Sequence, residues 1–130
     1  MIILTIRTDK PEAEIGLYND RTRLAYSVWL AHRQLAETIQ LKIDELLKQQ
    51  GKTLTEVQGL VAFQGPGSFT GLRIGLTVAN ALAYGQQIPI VGAGGGDWIA
   101  DGIERLDNGE DQRIIVPEYG ADPHITAQKK

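Results

Sequence analysis

Apolar residues run almost without a break from Ile2 to Ile6 and stop at Arg7. They then return at every second position, with Ala13, Ile15 and Leu17 set against Glu14, Gly16 and Tyr18. The first run predicts a strand covered on both faces, Ile2–Arg7, and the alternation predicts a second over Ala13–Asn19. Thr8-Asp9-Lys10-Pro11 and Asn19-Asp20 supply the breaks, and Leu24–Leu30 is a third β-rich run. Connections this short make the three an antiparallel meander. The period then changes from two to about 3.6 residues. Leu35, Ala36, Ile39, Ile43, Leu46 and Leu47 form one stripe, which predicts a helix over Gln34–Gln50 stopped by Gly51. Leu41 lies off that stripe, among Gln34, Thr38, Glu45 and Lys48.

Gly59–Gln64 reads as a buried strand, Thr70–Tyr84 as a second helix, and Ile88–Val91 as a strand whose Pro89 signals an edge. Asp97 is placed to cap a short third helix through Arg105. Right-handed crossovers then set the last two strands parallel to the first. The expected fold is α/β: a single ribonuclease H-like lobe of the actin-like (ASKHA) kind. Its sheet is mixed and five-stranded, a three-strand antiparallel meander plus two parallel strands, with helices packed on it. Residues 1–105 are expected to form the lobe, and 106–130 a linker and C-terminal tail.

The second helix is the least ordinary element. Its polar positions are confined to Arg73, Thr77, Asn80 and Tyr84, while Gly71, Gly75, Ala79 and Ala83 stand four apart as a ridge without side chains. One sheet cannot cover the remaining apolar arc. Either the first helix covers it or a second chain does, and Leu41 on the neighbouring helix favours a second chain. The expected interface is Thr38, Leu41 and Glu45 with Gly71, Ile74, Gly75, Val78, Ala79 and Leu82.

Composition narrows the function classes. The net charge is −3 over 130 residues, without long blocks of one sign, and the only basic cluster is Lys129-Lys130. Phosphate contacts dominate nucleic-acid affinity, so tight binding of tRNA or DNA by this chain alone is disfavoured. There is no cysteine, hence no disulfide or thiol chemistry. The apolar start is too short for a signal peptide, and no run reaches the ~20 apolar residues of a membrane helix. A soluble cytoplasmic protein, with no membrane partner, is expected.

Candidate chemistry centres on the glycine-rich loop before the second helix. Neither a Walker loop nor a dinucleotide fingerprint fits it: no lysine lies between Lys52 and Lys129, and Gly65, Gly67 and Gly71 have the wrong spacing. What remains is a helix N-terminus that Gly65, Pro66, Gly67, Ser68, Thr70 and Gly71 could shape into either a structural turn or an anion site. His32 and His124 have no second ligand at helical spacing, so neither a metal nor a cofactor is expected. Ser68 lacks a nucleophile elbow. Asp9, Asp97 and Asp101 read as caps and solvated loop residues.

Gly65–Gly85, GPGSFTGLRIGLTVANALAYG, resembles the signature of the TsaB (YeaZ) family. ILTIRTD at Ile3–Asp9 is similar to that family's opening strand, and LAHRQLAETIQLKIDELL is similar to its first-helix segment, with His32 the histidine preceding the helix. The resemblance implies a non-catalytic partner of TsaD, the ATP- and metal-dependent enzyme that transfers a threonylcarbamoyl group to an adenosine beside the anticodon. It further implies TsaE in a ternary assembly, tRNA met only through the complex, and a contact made by two helices of each subunit. The same face is expected to form a homodimer when the chain is alone. Where the family has Asp-Thr-Ser the chain reads Arg7-Thr8-Asp9, which argues against ATP hydrolysis. The family's second lobe has no room here. Val116–Lys130 resembles the family's C-terminal tail, so a shortened form with that lobe deleted is expected, its tail returning to the first lobe. A small nucleotide-binding enzyme using Gly65–Gly71 stays as the alternative.

Overall fold

The computed structural model describes residues 1–67 and 69–118. Eight main elements follow one another: β1 (Ile2–Arg7), β2 (Glu12–Asn19), β3 (Thr22–Leu30), α1 (Leu35–Gln49), β4 (Gly59–Phe63), α2 (Phe69–Gln86), β5 (Ile90–Ala93) and α3 (Trp98–Asp107). The strands form one sheet in the order β3-β2-β1-β4-β5. β1, β2 and β3 pair antiparallel, and β4 and β5 join β1 in parallel. This is the ribonuclease H-like arrangement that the element order implied.

Strand alternation assigns the faces. Leu4 and Ile6 line up with Leu17 and Ile15 of β2 and with Leu60 and Ala62 of β4. α1 and α2 cover that face, and its side chains are buried with Ile39, Ile43, Leu72 and Leu76. The opposite face carries Ile3, Thr5, Arg7, Val61 and Phe63. α3 covers its β4 side: Gly102 sits against Val61, and Trp98 meets Phe63 edge-on, the centroids 5.6 Å apart.

Several boundaries differ from expectation, each for a local reason. α2 runs on to Gln86 and is closed by Gln87 at φ 56°, with Ile88 N–H reaching back to the Ala83 carbonyl at 3.0 Å. Ile88 is thereby tied back to the end of α2, and the last strand is Ile90–Ala93 rather than Ile88–Val91. Asp97 occupies the residue before α3, but it is its main-chain carbonyl that accepts from Asp101 N–H, at 2.9 Å; the side chain makes no capping bond. Ala36 leaves the buried stripe of α1 and is exposed. β3 starts at Thr22, and its register with β2 shifts at Leu17/Tyr18.

The segment expected to be a linker and tail packs on the lobe for as far as the structure describes it. After α3 the chain turns at Gly109 and lays residues 111–118 along the outer side of β5, ending beside Gln64.

Candidate functional site

α2 presents a different surface to each neighbour. Its inner flank is the small-residue ridge. Ala79 is wholly buried and Ala83 nearly so. A β-carbon at Gly75 would overlap the Thr8 side chain at the end of β1, and Thr8 Oγ1 donates to the Gly71 carbonyl at 2.7 Å. The ridge therefore lets α2 approach the chain's own sheet. Gly75 and Ala79, expected at an interface with a second chain, are used up internally. Toward the segment of residues 111–118, a strap along β5, Asn80 binds the main chain of Ile115.

Toward α1, Ile74, Val78 and Leu82 are only half-buried. Ile74 and Val78, with Ala36, Arg73 and Thr77, line a shallow groove of about 260 Å³ between the helices. This groove is the apolar surface the periodicity pointed to, with a different membership. Thr38 and Glu45 do not line it. Thr38 Oγ1 accepts from Trp29 Nε1 at 3.0 Å and donates to the Gln34 carbonyl at 2.8 Å, which ties it to β3. Glu45 lies 3.8 Å from Lys42, whose ammonium stands over the Trp29 ring. Leu41 is 57% exposed and projects away from the sheet. Periodicity assigns Ala36 to the buried stripe of α1 and Arg73 and Thr77 to the polar stripe of α2, and spacing within one helix does not show which residues border the seam with another.

The glycine loop is packed rather than open. Gly65 adopts φ 125°, and a β-carbon there would strike the Glu118 carbonyl. One on Gly67 would strike Asp9. Pro66 is exposed. Thr70 and Gly71 instead line a separate cleft of about 480 Å³ with Asp9, Lys10 and Arg33. Of the described loop residues, Gly65 and Gly67 thus form a packed turn and Thr70 and Gly71 a cleft wall. Ser68 and His124 lie outside the described residues, as does the side chain of His32.

Arg7 occupies the position where the resemblance implied an acid. Its guanidinium stacks on Phe63, 3.9 Å from the ring centroid, and Nε donates to Asp9 Oδ1 at 2.8 Å. The bond to Asp9 raises the Arg7 pKa further. Asp9 is held by this pair and packed against Gly67. Nearby, burial, then the 2.6 Å bond to Glu14, holds the Tyr26 phenol above its ordinary range. Among the described residues no three His, Cys, Asp or Glu side chains gather as metal ligands, and no helix is long and apolar enough to cross a membrane.

Comparison with known proteins sets this geometry in a family. Residues 29–105 match the family described as TsaD: tRNA N6-adenosine threonylcarbamoyltransferase. The chain is 34% identical over 112 residues to the tRNA threonylcarbamoyladenosine biosynthesis protein TsaB of Escherichia coli (strain K12), which covers 82% of this chain and 48% of that protein. It is 41% identical over 63 residues to the tRNA N6-adenosine threonylcarbamoyltransferase of Geotalea uraniireducens (strain Rf4), covering 48% of this chain and 18% of that one. The solved structure of YeaZ from Pseudomonas aeruginosa superposes with a TM-score of 0.68 at 24% identity, over 83% of this chain and 50% of that chain. The chain spans about half or less of the length of these relatives.

Proposed function

The chain belongs to the TsaB (YeaZ) and TsaD family, and from that premise we propose that it serves threonylcarbamoylation of tRNA as a non-catalytic partner of TsaD. The observation that carries this reading is the groove between α1 and α2, where Ile74 and Val78 stay half-buried beside an exposed Ala36. A second pair of helices laid over them would complete their burial, at about 25 cal/mol per Å² of apolar surface covered. Leu41, Val78, Ile74 and Leu82 are the residues this proposal places nearest the partner, with Gly71 at the edge of the contact and Thr38 and Glu45 at its rim. Without TsaD the same surface pairs with a second copy. TsaE joins the TsaD complex, and tRNA is met through it.

The nucleotide-binding alternative gains less. In the loop that would cradle a phosphate, Gly67 packs against Asp9 and Gly65 against the Glu118 carbonyl. Arg7, in the position of the acid that organises metal and phosphate in actin-like ATPases, is paired with Asp9 and stacked on Phe63. The test is light scattering after size exclusion, on the chain alone and mixed with TsaD of its own organism. A homodimer that yields to a heterodimer supports the proposal. A monomer indifferent to TsaD overturns it, and thermal protection by ATP would then favour the alternative.

A further inference from the structure

β5 is a terminal strand, so the main-chain groups of Ile90 and Gly92 that turn away from β4 need other partners. Each has one, mostly a side chain. Asp111 Oδ1 accepts from Ile90 N–H at 3.2 Å, Gln112 Oε1 accepts from Gly92 N–H at 2.7 Å, and Arg105 Nη1 donates to the Gly92 carbonyl at 2.6 Å. Only the 2.9 Å bond from Gln112 N–H to the Ile90 carbonyl joins main chain to main chain.

Further along, Asn80 holds Ile115 as a neighbouring strand would. Its Nδ2 donates to the Ile115 carbonyl at 3.0 Å, and its Oδ1 accepts from the Ile115 N–H at 2.8 Å. Gln64 Nε2 donates to the Val116 carbonyl at 2.9 Å. Ile115 is the buried anchor, seated where Gly92 has no side chain: a β-carbon there would lie 2.8 Å from Ile115 Cγ2. Ile114 and Val116 point outward, 67% and 65% exposed.

A segment held mostly by side-chain bonds and a single apolar anchor, with main-chain bonds only from Gln112 to Ile90 and from Glu118 to Gln64 among the described residues, belongs to the low end of local opening free energies. Gly109, at φ 84°, makes the turn between it and α3. The groove it would leave is specific: an unpaired strand edge, a carboxamide that reads main chain in both directions, and a notch for one aliphatic side chain. We propose that the outer edge of β5 is an exchangeable strand-addition site, filled in cis by residues 110–118 and able to take the same segment from a second copy when the strap lifts. The cis strap itself identifies the occupant, because a second copy brings the identical sequence to the identical edge.

The test uses the full ¹⁵N-labelled chain and a capped synthetic peptide spanning residues 110–118. Ile115→Ala removes the anchor and leaves the groove intact. In that variant the amides of Ile90 and Gly92 should exchange with solvent about tenfold faster than in the unaltered chain. The amide of Val91, which alternation turns toward β4, should keep its rate. Adding the peptide should restore protection saturably, and the same peptide carrying Ile115→Ala should not. Exchange of Ile90 and Gly92 in step with Val91 in both proteins would overturn the proposal, as would a peptide without effect at millimolar concentration. Should Ile115→Ala fail to fold, Gln112→Ala, read at the Ile90 and Ile115 amides, answers the same question.

Discussion

The two long flanks of α2 are built from similar-looking sequence and do opposite things. Gly71, Gly75, Ala79 and Ala83 bring the helix onto its own sheet, close enough for Thr8 to bond the Gly71 carbonyl. Ile74, Val78 and Leu82, the bulkier set, stay half-buried beside α1. A row of small residues four apart says only that something comes close. It does not say whether that neighbour is the same chain or another. Bulky apolar side chains left short of full burial are the better mark of a surface awaiting a partner.

Substitutions on the two flanks should separate folding from assembly. The largest effect is expected on the inner flank: Gly75→Leu drives a side chain into Thr8, and overpacking of this kind costs about 3 kcal/mol. Thermal unfolding should show a midpoint lower by roughly 10 °C. A Gly75 variant with unchanged stability would dissolve the distinction between the flanks. On the outer flank, Val78→Asp should cost less, about 1 kcal/mol of folding, since the site is only partly buried. It should nevertheless abolish homodimers, and the complex with TsaD, in light scattering. Leu41→Ser should change unfolding by less than about 0.5 kcal/mol and weaken association measurably. If association is untouched, the partner sits over the groove alone and Leu41 is an ordinary exposed leucine.

The smallest expected effect concerns pH. The bond from Arg105 lowers the Glu110 pKa below its reference value of 4.5. A depressed carboxylate favours the folded strap above the unfolded pKa, and that contribution is lost as the pH falls below 4.5 through the folded value. The protection of the Gly92 amide, its exchange rate relative to that of an unstructured amide at the same pH, should therefore fall in acid before that of the ladder between β4 and β5. The pair is exposed, so the change should be small and should shrink further in salt.

The elements were legible because each carries its own period. β2 alternates, α1 repeats at helical spacing, and β1 and β4 are unbroken apolar runs buried on both sides. The end of α2 was not, because Ile88 is as apolar as the strand it precedes, and only its hydrogen bond back to the Ala83 carbonyl keeps it out of that strand. The site was legible in part. Ile74 and Val78 stood out as apolar positions, but the inward turn of Gly75 depends on Thr8, some sixty residues earlier. Thr38 looked like a free surface residue until Trp29 bonded to it. The strap was hidden for a related reason: Asn80, Gln64 and Gln112 are polar side chains that pair with main chain, and no periodicity shows which main chain they meet.

The bonds along β5 also bear on how copies of this chain could polymerise. A sheet propagates into a filament only if each unit offers a receptive edge at both ends. Here one terminal strand already has its outward groups occupied by Asp111, Gln112 and Arg105. While that segment stays in place, sheet growth can therefore proceed only past β3. Two copies joined there about a two-fold axis would present a closed edge on either side, so that growth by this route terminates at the pair.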